Sequence, residues 1–208
     1  MDLLDLVFPK TCLNCNKSGK YFCEDCVSKV HILNRFDPAT KTFSVFAYDG
    51  IIQKGIIKLK YKFAFDLGKE LADLTVENFK HSFPQKCVLL PIPLHKSREN
   101  WRGFNQSEIV GKLLSEKLNW GFDNNILTRT SQGKTQVGLK SIERVRNIRG
   151  KFAVNDEALR AILSAVEGSD PTFIVFDDVA TTGSTIQEAI RILKKSGAQK
   201  VFGLTIAR

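Results

Sequence analysis

Apolar and polar positions follow two periods along this chain, and each change of period marks an element. Thr42 to Tyr48 alternates loosely and stops at Asp49-Gly50, which predicts a strand and a turn. Ile51 to Lys62 places Ile52, Ile56, Ile57 and Leu59 at helical spacing, with Lys54, Lys58, Lys60 and Lys62 among them. Leu67 to Phe79 reads as a second helix. Val88 to Pro93 is an apolar run that proline ends, as a buried strand would be. Asn105 can cap a helix with Glu108 at its third position and Ile109, Val110, Leu113 and Leu114 on its core face; Asn119 and Gly121 mark its end.

The last third repeats the scheme. Phe173 to Phe176 follows the turn signal Asp170-Pro171 and reads as a strand buried on both faces. Thr185 and Glu188 have the spacing of a capping box, which starts a helix at Ile186. Ile186, Ala189, Ile190 and Leu193 share one face of it, Lys194 and Lys195 fill its last turn, and Gly197 stops it. Val201 to Ala207 is a final strand. Strands alternating with helices predict an α/β domain with a mainly parallel central sheet flanked by helices.

Four cysteines fall outside this scheme, in the pattern Cys12-x2-Cys15-x7-Cys23-x2-Cys26. Two Cys-x2-Cys knuckles joined by the turn residues Asn16 to Lys20 can direct four thiolates at one ion, the set that zinc prefers. All-sulfur ligation leaves no open position, so the expected ion is structural. The expected division is a zinc module over 1–40 and a larger domain over 41–208. Cys87 opens an apolar strand and reads as a small buried hydrophobe. His31 reads as a surface or packing residue. The segment Leu3 to Phe8 is a short amphipathic turn that Pro9 stops.

At 208 residues and 43% hydrophobic, the chain has the bulk of one domain and a small appendage. The longest apolar run, Cys87 to Leu94, is far too short to span a bilayer. The acidic start Met1-Asp2-Leu3-Leu4-Asp5 is no signal peptide. A cytoplasmic protein that is not integral to a membrane is expected. The net charge of +9 is uneven: residues 86–151 hold 13 basic and 5 acidic side chains, while the flanking segments are nearly balanced. Such a patch suits a polyanionic ligand.

The end of the Phe173 strand carries the clearest chemistry. Asp177 and Asp178 are followed by Val179, Ala180, Thr181, Thr182, Gly183, Ser184 and Thr185 and then a helix. Ligands of parallel sheets bind beyond the carboxyl ends of the strands. Hydroxyls, a glycine and a helix N-terminus there suit a phosphate. Paired carboxylates would repel that phosphate, but they accept hydrogen bonds from a sugar diol and orient hydrated Mg2+. The run resembles the phosphoribosyl-diphosphate (PRPP) signature of type I phosphoribosyltransferases. The resemblance implies that Asp177 and Asp178 contact ribose and that Ala180 to Thr185 hold the 5′-phosphate. A P-loop is the rival reading, through Gly133-Lys134-Thr135, but it needs a glycine where Thr128 stands.

Two basic loops accompany that site. His95 to Gln106 follows a strand and brings His95, Arg98 and Arg102, with Trp101 as a candidate base-stacking residue; a second loop carries Lys134. These cations suit a pyrophosphate or DNA phosphates. Pro-Ile-Pro-Leu-His95, Arg-Gly-Phe-Asn-Gln106, Leu-x-Arg129-Thr and Glu-Arg-x-Arg-Asn147 recur in that order in the ComF-type competence proteins, which this chain resembles from Cys12 to Arg208. That resemblance implies a zinc module fused to a phosphoribosyltransferase-like domain. It implies handling of incoming single-stranded DNA in natural transformation, with a competence helicase or membrane DNA channel as partner. It leaves room for a peripheral position at the inner face of the cell membrane. The alternative is an active phosphoribosyltransferase with an unidentified acceptor; no acceptor pocket is readable in the sequence.

Overall fold

The computed structural model describes residues 10–61, 65–79, 83–84, 87–130, 150–165 and 170–208. After the cysteine hairpin comes helix α1 (Glu24–Val27), then strands β1 (Ile32–Asp37) and β2 (Thr42–Phe46) and helices α2 (Gly50–Tyr61) and α3 (Phe65–Asn78). Strand β3 (Cys87–Pro91) leads to α4 (Lys96–Arg102), α5 (Gln106–Leu118) and the short strands β4 (Gly121–Phe122) and β5 (Leu127–Arg129). The chain closes with β6 (Phe152–Val154), α6 (Asp156–Ala165), β7 (Thr172–Val179), α7 (Ser184–Lys195) and β8 (Lys200–Ala207).

The strands form a six-stranded sheet in the order β1-β2-β8-β7-β3-β4, and β5 and β6 form a separate antiparallel pair. Every pairing of the main sheet is parallel except β1 with β2. The mainly parallel α/β architecture expected from the alternation of periods is therefore present. Strand β7 lies between β3 and β8 and buries both faces, as its apolar run predicts.

Alternation along β7 divides the core in two. Ile174 and Phe176 join a cluster with Ile52, Ile56, Leu71, Val110 and Leu114 from α2, α3 and α5. Phe173 and Val175 join a second cluster on the opposite face, with Ile186, Ala189 and Leu193 of α7 and Leu127 and Phe152 of β5 and β6. The α7 face was correctly read from its spacing. It sits very close to the sheet: a Cβ on Gly203 would lie 2.5 Å from Ile186 Cγ2, so only glycine fits beneath the helix.

Some expectations change. The capping box is not formed. Helix α7 starts at Ser184 from Gly183, whose φ of 70° is left-handed and which offers no side-chain cap. Thr185 thus lies inside the first turn, and Glu188 turns away to accept from the Gly150 amide at 2.9 Å and from Arg191. The stretch from His95 is not a continuous loop, because α4 occupies Lys96–Arg102. Ile57 faces solvent instead of the core. Strand β1 lies within the 1–40 stretch and pairs with β2 at the sheet edge, so residue 40 falls at a hairpin turn.

The cysteine hairpin is fastened to the helices. Thr11 and Ser18 form an antiparallel bridge, and Cys12 N donates to Lys17 O. The backbone amides of Tyr21 and Phe22 both donate to Glu70 of α3, at 2.9 and 3.1 Å. The Phe22 ring fills the space where Gly55 of α2 has no side chain. Among the described residues no helix is long and apolar enough to cross a membrane.

Candidate functional site

The two acids end the central strand while still inside its ladder, Asp177 opposite Thr205 of β8. Although consecutive along the strand, the two carboxyls stay close enough to act on one another. Asp178 is buried on the side of α2, where Lys60 Nζ lies 2.9 Å from its Oδ2. Its other oxygen accepts from the Val179 amide at 3.0 Å. Asp177 Oδ1 accepts from Ser107 Oγ and from the Asp178 amide, each at 3.0 Å. Ser107 is set by Asn105, which caps α5 as predicted and anchors to Ile92 O. The helix that follows the His95 to Gln106 segment thus reaches the acids at Ser107. Burial, and then the neighbouring Asp178 charge, push the Asp177 carboxyl up to about 8.

The hydroxyl loop turns sharply after β7. Ala180 is buried and its amide donates to Ala207 O. Thr182 Oγ1 and Ser184 Oγ are 2.8 Å apart, Thr181 is exposed, and Thr185 is half-buried. A Cβ on Gly183 would come within 2.7 Å of Thr40 Cγ2, so the bend needs glycine both for its φ and for its space. The turn before β2 walls this side, where Gln187 Nε2 reaches Ala39 O at 3.0 Å. The first N–H groups of a helix have no intrahelical acceptor; Gly183 offers α7 no side-chain cap, and Thr182 Oγ1 accepts from the Ser184 amide, at 3.4 Å. That leaves donors and partial positive charge beside a ring of hydroxyls.

A cationic side faces Asp177. Arg129, at the end of β5, donates from Nη1 to Pro93 O at 3.3 Å and lies over the Phe152 ring. Its pKa is lowered by burial and by Arg98, while Asp177 opposes that shift. Lys151 is lowered by burial and then by Arg129 and Arg98. Arg98 of α4, Arg129 and Lys151 thus feel one another's charge across three elements. Among the described residues none of the three forms an ion pair. Like charges held together in this way suit an anion.

The other candidates are placed as follows. His95 caps α4, its Nδ1 accepting from the Ser97 amide at 3.3 Å. Arg102 donates to Gln106 Oε1 at 3.0 Å and lies over the Tyr61 ring. Trp101 is exposed and meets Tyr61 edge to face at 5.8 Å. Lys134, the Gly133-Lys134-Thr135 run and Leu3 to Phe8 lie outside the described residues. Lys60, Tyr61, Ser107, Arg129 and Lys151 were not singled out as site residues. Their contacts depend on how the helices cross the sheet; the sequence shows Arg129 only as part of a basic loop and of the Leu-x-Arg129-Thr motif, and Lys151 only within the basic excess over 86–151.

Cys12, Cys15, Cys23 and Cys26 come together as their spacing predicts: their sulfur atoms all lie within 4.8 Å of one another. Zinc–sulfur bonds of about 2.3 Å place ligand sulfurs about 3.8 Å apart, so the set fits a tetrahedral divalent ion. Burial opposes ionisation of Cys12, but backbone N–H groups from Cys15, Cys23 and Asn14 outweigh it and bring this thiol to about 6. Burial and the Cys12 sulfur hold Cys23 well above its ordinary value. An ion among them would remove that conflict. Cys87 stands apart. It is buried, donates to Pro84 O at 2.9 Å, and burial raises it to about 11, as an inert core thiol. His31 is exposed and pairs with Asp49.

The chain is thus an α/β protein whose mainly parallel sheet ends, at its central strand, in an acid pair and a hydroxyl loop, and which carries a four-cysteine hairpin able to hold a metal. No protein-family model matches the chain. Competence protein F of Haemophilus influenzae is 27% identical over 202 residues, covering 95% of this chain and 84% of that protein. DNA utilization protein YhgH of Escherichia coli is 27% identical over 203 residues, covering 91% and 85%. Competence protein ComFC of Bacillus subtilis is 28% identical over 167 residues, covering 79% and 63%. The chain is thus similar, along most of its length, to proteins of competence and DNA utilization. Among solved structures, a glutamine phosphoribosylpyrophosphate amidotransferase from B. subtilis overlaps 72% of this chain and 30% of its own, at 12% identity and a TM-score of 0.44. An allosteric regulatory enzyme of purine biosynthesis overlaps 66% and 25%, at 16% identity and a TM-score of 0.41.

Proposed function

We propose that this protein serves DNA uptake in natural transformation by handling incoming single-stranded DNA in the cytoplasm, and that it keeps a PRPP-type site at the end of β7. The names of its relatives support the first part. The observation that carries the second is the meeting of Asp177 and Asp178 with the start of α7 and its hydroxyl loop. In this reading the acids hold the ribose hydroxyls and the water shell of Mg2+, and Thr181 to Thr185 hold the 5′-phosphate. Zinc in the four-cysteine set orders the hairpin. His95, Arg98, Arg102 and Lys134 are the proposed phosphate contacts. A competence helicase or the membrane DNA channel is the proposed protein partner, met at the inner face of the membrane.

A second reading has one observation in its favour. The Arg98–Arg129–Lys151 group beside Asp177 is what a leaving pyrophosphate would need, so turnover with an acceptor is a real alternative. Incubation with PRPP and Mg2+, with and without single-stranded DNA, separates the two. Released pyrophosphate favours the enzyme. Calorimetric binding of both ligands without release favours the DNA-handling module. PRPP binding unchanged in Asp177→Asn/Asp178→Asn removes the sugar-phosphate assignment.

A further inference from the structure

The last turn of α2 does two things at adjacent positions. Lys60 reaches the acid pair at Asp178, and Tyr61 points to the surface beside Trp101. The two rings stand at 78° with centroids 5.8 Å apart. That contact uses one edge and one face, and Tyr61 and Trp101 remain 61% and 70% exposed. Exposed aromatics of this size are unusual on a polar surface, and here two from different elements converge. Arg102 lies over the Tyr61 ring, 5.6 Å from its centroid, and Gln106 fixes its guanidinium. Gln106 precedes Ser107, which holds Asp177. The platform is thus tied to the acid pair on both sides, through Lys60 to one carboxylate and through the start of α5 to the other.

We infer that Tyr61 and Trp101 form a stacking platform for a nucleobase, so that the ligand unit at this end of the sheet is a nucleotide of a single strand. The occupant follows from the chemistry of the patch. Aromatic faces flanked by Arg102 favour a flat π-system on an anionic backbone over a neutral apolar partner. Lys60 and Tyr61 are consecutive, so the rings and the contact to the acid pair lie at the same end of α2. The inference rests on the strand-handling reading above and assigns to Tyr61 the part that the sequence offered only to Trp101.

Trp101 reports on its own occupancy. In a Trp120→Phe background it is the single tryptophan. Titration with a thymidine oligonucleotide should quench its emission, and an abasic oligonucleotide of equal length and charge should not. Tyr61→Ala should weaken thymidine binding about tenfold, the scale of one lost base stack, and leave the salt dependence unchanged. Tyr61→Phe should restore it. Equal affinity for thymidine and abasic strands in the parent protein, or thymidine binding unmoved by Tyr61→Ala, overturns the platform and leaves strand handling standing on phosphate contacts. Binding of neither strand overturns both.

Discussion

Lys60 Nζ and Asp178 Oδ2 are 2.9 Å apart, and this ion pair joins the outermost helical turn of α2 to the central strand. Asp178 is buried and Lys60 is only partly exposed, so the pair sits between the surface and core regimes. Breaking a buried pair from one side strands the remaining charge. Lys60→Met should therefore cost about 2 kcal/mol in denaturant unfolding, below the fully buried range because some solvent reaches the lysine. Lys60→Met with Asp178→Asn should recover part of that loss. Additive losses in the double mutant would show that the two charges are not coupled.

The four sulfurs predict a stoichiometry. Metal analysis of purified protein should give one zinc per chain, and Cys12→Ser or Cys23→Ser should lose it. Ion binding stabilises such hairpins by on the order of 10 kcal/mol, so a chelator should lower the melting temperature sharply. Because the hairpin packs on α2 and α3, the shift should register in the whole domain.

Asp177 gives a pH signature. Its carboxyl is raised from near 4 to about 8 by burial and by Asp178, so the folded protein keeps a proton that the unfolded chain releases. Its contribution to stability is complete below pH 4 and declines as pH rises through about 8. Asp177→Asn retains an acceptor for Ser107 and removes the titration. It should raise the melting temperature at pH 8 by on the order of 5 °C and change little at pH 4. An equal shift at both values would exclude Asp177 as the group responsible.

The cationic side makes a salt prediction. Affinity for single-stranded DNA should fall with a log–log slope of about −0.7 per phosphate neutralised. Arg98→Ala with Lys151→Ala should flatten that slope by about 1.4 if each residue meets one phosphate. An unchanged slope takes both residues out of the interface.

What was legible in the sequence divides by range. The β7 strand, the α7 face and the Asn105 cap are written in local spacing, and each formed. The cysteine cluster was legible because metal ligation fixes both residue type and interval. The capping box failed because Gly183 enters the left-handed region and starts the helix early, which puts Thr185 past the cap position. Lys60 read as one more lysine on a helix, since nothing in its neighbours announces that α2 ends above Asp178. Arg129 and Lys151 meet Arg98 only after β5 and β6 pair, an encounter of segments that no short window contains.

The Glu70 carboxylate has a further consequence. Burial raises it, and the Phe22 and Tyr21 amides work against that rise by donating to it. Its donors are main-chain groups of the cysteine hairpin, so no replacement at 21 or 22 other than proline withdraws one, whereas excision of the hairpin withdraws both at once. A shortened chain would also uncover the bare flank of α2 at Gly55, now closed by the Phe22 ring. The metal-binding piece therefore behaves as a keystone and not as a detachable tag: evolution can vary its surface freely, but a protein lacking it would need a new partner for Glu70 and a new cover for α2.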